Sequence, residues 1–70
     1  MARDWHRGSI ELRDGYTVMD GDGKMANQIE NARFSIEGGF LYVDIHGTDD
    51  LQVVSSEAVY RLSYPRKSRD

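Results

Sequence analysis

Residues 32–45 read Ala32-Arg33-Phe34-Ser35-Ile36-Glu37-Gly38-Gly39-Phe40-Leu41-Tyr42-Val43-Asp44-Ile45, two alternating runs hinged on a glycine pair. A two-residue glycine loop supplies the positive φ of a type I′ or II′ turn, so the runs are predicted to fold back as a hairpin. Closing the loop there pairs Glu37 with Phe40, Ile36 with Leu41, Ser35 with Tyr42, Phe34 with Val43, Arg33 with Asp44 and Ala32 with Ile45. One face is then wholly apolar, carrying Ala32, Phe34, Ile36, Leu41, Val43 and Ile45. A slip of one residue would scramble that face, so turn and pattern agree on one register.

On the N-terminal side, Ser9 to Arg13 alternates with Ile10 and Leu12 on one side, and Asp14-Gly15 turns the chain into Tyr16-Thr17-Val18-Met19. A three-residue loop with Gly15 left-handed would match Leu12 with Tyr16 and Ile10 with Val18, which keeps apolar opposite apolar. Asp20-Gly21-Asp22-Gly23 reads as a turn. Lys24 to Asn31 is ambiguous, since Met25 and Ile29 suit a helical turn while Ile29 also alternates with Asn27 and Asn31; the extended reading is preferred. On the C-terminal side, Gly47-Thr48-Asp49-Asp50 is a loop and Leu51 to Ser55 a strand. Ser55-Ser56-Glu57 has the polar character of a single 3₁₀ turn, and Ala58 to Tyr64 is a last strand stopped by Pro65.

Five short strands joined mostly by tight turns describe an antiparallel meander. A sheet with one apolar face must cover it, and in a chain without a long helix the economical fold is all-β, a small five-stranded barrel of SH3-like or Sm-like shape. The strand, one-turn helix, strand ending over Leu51 to Tyr64 resembles the close of such barrels in shape. An antiparallel sheet with a short helix at Met25 to Glu30, an α+β arrangement, is the alternative. The expected organisation is a leader over 1–8, one small β domain over 9–64 and a basic tail over 65–70.

Seventy residues, 39% apolar and 30% charged, suffice for one domain with a shallow core. Zero cysteines exclude disulfides and thiolate metal sites and favour the cytoplasm, and neither an apolar run near eighteen residues nor an export signal is visible. Self-association then remains as a source of extra buried area. Residues 11–57 carry ten acidic side chains against Arg13, Lys24 and Arg33, while both ends are basic. An acidic body argues against a general nucleic-acid binder, whose footprint is normally a basic domain.

The second face of the hairpin carries the candidate function. With Leu41, Val43 and Ile45 inward, Phe40, Tyr42, Asp44 and His46 line up outward, with Arg33 beside them. Aromatic rings, a carboxylate and an imidazole on a pleated surface make a contact patch for a partner protein or a second copy. Trp5, alone in a polar leader, is either a plug over one end of the barrel or an anchor for the same partner. A competing reading stacks a nucleotide on Tyr42 and Phe40, with Arg61, Arg66, Lys67 and Arg69 as an anion-binding set.

Catalysis and metals fare worse. Asp44 and His46 are neighbours, yet no nucleophile completes a recognisable constellation. The Asp20 turn misses calcium-loop spacing, because counting Gly23 as sixth puts Ile29 where a bidentate glutamate belongs. His6 and His46 are too few for zinc, and no phosphate-binding glycine loop opens a helix. The sequence therefore implies no cofactor, and its expected function is that of a non-catalytic adaptor or inhibitor.

Overall fold

The structure, a computed structural model, describes residues 4–65. Its strands are β1 (His6–Leu12), β2 (Val18–Met19), β3 (Met25–Ala26), β4 (Gln28–Glu37), β5 (Phe40–Asp44), β6 (Gln52–Ser55) and β7 (Val59–Ser63), with a one-turn 3₁₀ helix at Ser56–Ala58 between the last two. Five of them form one antiparallel sheet in the order β6-β5-β4-β1-β7, while β2 and β3 make a separate two-stranded hairpin.

The β4–β5 hairpin has the register that its glycine pair requires: Glu37 opposite Phe40, Ile36 opposite Leu41, Ser35 opposite Tyr42, Phe34 opposite Val43 and Arg33 opposite Asp44. Gly38 and Gly39 both have positive φ, 63° and 83°, as a type I′ turn demands. Phe34, Leu41 and Val43 are fully buried, and Ala32 and Ile45 nearly so. Ile36 departs from its neighbours: it lies at the tip, past the end of the core, and is 53% exposed.

Three readings are corrected. The Leu12–Tyr16 pairing across Asp14-Gly15 does not form, because β1 is an interior strand with β4 on one side and β7 on the other. Asp14-Gly15 still turns the chain, with the Tyr16 N–H on the Arg13 carbonyl at 3.1 Å, but the residues that follow have no free edge of β1 to pair with. Val18 instead packs into the core from β2, whose partner is β3. The order is for the same reason not a simple meander, since the last strand returns beside the first. The alternative helix at Met25 to Glu30 is also absent, those residues belonging to β3 and β4.

A bulge reconciles Ile29 with the core. Between the pairs Gly8–Ala32 and Ile10–Ile29, one residue of β1 faces two of β4, and Asn31 takes a φ of 60°. The extra residue flips the alternation, so Ile29 and Ala32, three apart, both point inward. The bulge bends β4 locally, but no closed barrel is found: β6 and β7 are the two edges of the antiparallel sheet and are not bonded to each other among the described residues. No helix of the described residues is long and apolar enough to cross a membrane.

The loops at one end are locked by backbone contacts. Asp20 Oδ1 accepts the N–H groups of Asp22 and Lys24, both at 2.9 Å, and closes the β2–β3 turn. The Lys24 N–H, with further help from Asp22 and Gly23, holds the Asp20 carboxyl below the usual carboxylate range. Gln52 clamps the same hairpin to β6, its side-chain amide accepting from Met19 N at 2.7 Å and donating to Met19 O at 2.8 Å.

Candidate functional site

The outer face of β4 and β5 is built by parity. Residues that alternate with the buried Phe34, Leu41 and Val43 must point the other way, which places Ser35 and Arg33 on β4 and Phe40, Tyr42 and Asp44 on β5 together on one surface. The β5–β6 register extends it, since Val53 lies opposite Tyr42 and Ser55 opposite Phe40. β1 adds Trp5, which precedes the inward-facing His6 and so turns to the outer side.

Polar and aromatic groups are fixed against each other there. Arg33 donates from Nη1 to Asp44 Oδ2 at 2.7 Å, and its guanidinium carbon lies 4.3 Å from the centroid of the Trp5 ring. An exposed ion pair alone contributes at most about 1 kcal/mol. Seated on an indole, the guanidinium gains a further cation–π contribution and loses the freedom to swing away. Trp5 is half-buried, with its ring against the Arg33 guanidinium. Tyr42 is half-buried, while Phe40 at 47% and Val53 at 48% leave much apolar surface open.

His46 is not in this row. The turn Ile45-His46-Gly47-Thr48, closed by the Thr48 N–H on the Ile45 carbonyl at 3.1 Å, lifts it out of β5 one residue before the expected loop, and Gly47 supplies the φ of 100° at the third position. His46 is exposed at the loop end, with its carbonyl beside Gly21. Asp44 faces Arg33 instead. His6, in β1, stacks on Tyr64 at 4.1 Å on the inner side.

Arg61 is bonded from Nη2 to Glu11 Oε1 at 3.3 Å across the β1–β7 ladder. Arg66, Lys67 and Arg69 lie outside the described residues. No group of three or more His, Cys, Asp or Glu among the described residues is placed to hold a metal ion. A shallow groove between the β2–β3 turn and the 47–50 loop is lined by Asp20, Thr48, Asp49, Asp50 and Gln52. Val53 is the member of the outer face that sequence reasoning missed; its alternation within Leu51-Gln52-Val53 was visible, but not its register against Tyr42.

Beneath the strip lies an unpartnered hydroxyl. Ser35 is 1% exposed, and its Oγ has no hydrogen-bond partner among the described residues. A buried hydroxyl without a partner keeps its desolvation cost and recovers nothing. Ser35→Ala is accordingly expected to raise stability by about 1 kcal/mol, read as a higher urea midpoint with an unchanged slope. A loss of stability would mean that the hydroxyl is hydrogen-bonded in solution.

Comparison of the chain with protein-family models, with curated proteins and with solved structures finds no match.

Proposed function

We propose that this chain is a non-catalytic protein-interaction domain, an adaptor or inhibitor, whose contact surface is the outer face carrying Trp5, Arg33, Phe40, Tyr42, Asp44 and Val53. The observation that carries the reading is the open apolar surface of Phe40 and Val53, flanking Tyr42 on a rigid sheet. Aromatic anchors beside a pre-ordered arginine are the composition in which binding energy concentrates at protein interfaces. The sheet order, with a one-turn helix before the last strand, supports describing the scaffold as an SH3-like or Sm-like barrel left open between β6 and β7.

The nucleotide reading has less support, because the two described cations it would use are engaged and Arg61 lies on the far edge strand: Arg33 faces Asp44 and Arg61 faces Glu11. An acid–base role for Asp44 and His46 loses its geometry once the turn separates them. The test is affinity capture with immobilised wild-type chain and its Tyr42→Ala and Trp5→Ala variants, at about 0.15 M and about 1 M salt. The expected result is a protein retained at both salt concentrations and bound at least tenfold more weakly by either variant, as for residues worth about 2 kcal/mol. Binding that collapses in high salt and ignores Tyr42→Ala would transfer the function to the charged segments.

A further inference from the structure

The two edges of the main sheet differ. β7 is blunted: Arg61 projects from it, the pairing with β1 is broken by a bulge between Arg61 and Val59, and Pro65 follows two residues beyond its end. These are the devices by which natural sheets refuse another strand. β6 has none of them. Gln52-Val53-Val54-Ser55 carries no charge, no proline and no bulge, and nothing pairs with its outer side among the described residues.

Alternation decides which backbone groups are open. The Ser56 N–H donates to the Gly39 carbonyl at 2.9 Å, beside the Phe40–Ser55 pair. In an antiparallel ladder this directs the N–H and C=O of Val54 and Gln52 toward β5 and leaves the N–H and C=O of Val53 and the N–H of Ser55 facing away, the Ser55 carbonyl being taken as the first acceptor of the 3₁₀ turn. The side chains of the same open stretch, Val53 and the preceding Leu51, are about half exposed. The ends of the edge are acidic, with exposed Asp49 and Asp50 at one and Glu57 at the other.

We infer that β6 accepts an added strand: an extended segment of another protein, alternately apolar and flanked by Lys or Arg. The inference rests on the reading of the outer face as a protein-contact surface, and names the partner's form. Backbone bonds to the N–H and C=O of Val53 and to the N–H of Ser55 supply the pairing, and the partner's alternate side chains lie beside Leu51 and Val53, continuing the strip toward Tyr42. Charge selects the partner. A second copy paired antiparallel about Val53 would set Asp49 against Glu57 at both ends, like charge facing like, whereas a basic-flanked strand meets carboxylates at each end.

The probe is the peptide acetyl-Lys-Arg-Thr-Val-Thr-Val-Thr-Arg-Lys-amide, titrated into the full chain and followed by amide NMR and hydrogen exchange. The expected result is exchange at Val53 and Ser55 slowed at least tenfold at saturation, and binding at least tenfold weaker when the flanking Lys and Arg are Glu. Val53→Pro removes an outward N–H at an edge position where proline is tolerated, so it should keep the fold and weaken the peptide at least tenfold. Shifts confined to Trp5, Phe40 and Tyr42, with Val53 and Ser55 unprotected, would overturn strand addition and leave the contact face standing. Protection of Val53 and Ser55 that grows with protein concentration and needs no peptide would overturn it in favour of a second copy. No response at either the edge or the face would count against both readings.

Discussion

Replacing Phe34 with alanine is expected to cost about 3–5 kcal/mol, most of what holds a 70-residue domain together, since such a chain has about 4–10 kcal/mol in total. Phe34 is 0% exposed at the middle of β4, opposite Val43, with the His6 ring at 5.9 Å and the Tyr64 ring at 5.8 Å. Its ring joins the apolar floor of the hairpin to the aromatic cluster that ties β1 to the end of β7. Truncation leaves a cavity bounded on one side by β5, which cannot collapse without breaking its ladder. Ile36→Ala, two residues along on the same face, should cost less than about 1 kcal/mol because half of that side chain is already in water. Urea unfolding followed by circular dichroism separates the two. Equal losses would mean that the core reaches the tip of the hairpin.

That contrast shows where sequence reading works and where it stops. The hairpin register was legible because two independent signals, a Gly-Gly turn and strict alternation on both sides, admit one solution. The depth of burial along the same face was not, since alternation says which way Ile36 points and nothing about where the core ends. β1 was misassigned for a related reason. Asp14-Gly15 is a genuine turn signal, yet the partners that β1 takes are β4 and β7, and Glu11 meets Arg61 across fifty residues of chain. No local pattern encodes that choice; it follows from Ile10 and Leu12 needing cover from elements on both sides. The bulge left no such signal: residues 24–31 are ambiguous in the sequence because Met25 and Ile29 are four apart while Ile29 also alternates with Asn27 and Asn31, and the phase break between Ile29 and Ala32 shows only in the register.

The candidate face was legible in the same degree. Phe40, Tyr42, Asp44 and Arg33 share it by parity alone, which the hairpin guarantees. Trp5 joined through β1, whose register the sequence did not reveal. His46 left through a turn whose sign was Gly47, one residue further on. Val53 entered by a pairing that spans the 45–51 loop, and that pairing also exposes β6 as an open edge.

Gly8→Val is expected to cost at least about 3 kcal/mol, and so to lower the melting temperature by about 12–24 °C at about 4–8 °C per kcal/mol for a domain of this size. The reason is space. A Cβ on Gly8 would stand 1.9 Å from the Ser63 carbonyl oxygen and 2.8 Å from Tyr64 Cα. Both are backbone atoms, so no side-chain rotation relieves the overlap. The end of β7 would have to lift, breaking the Ser9–Ser63 pairing and pulling Tyr64 off His6. Gly8→Ala should already show most of this loss, since the clash is with the first carbon. Gly15→Ala is the control: its φ of 91° strains an alanine, but nothing lies within 4 Å of the new carbon. It should cost only about 1–2 kcal/mol. If Gly8→Ala melted no lower than Gly15→Ala, the crossing of β7 over β1 would not be as close as the structure has it. If the order holds, Gly8 is the position where the first and last strands of the sheet are brought into contact.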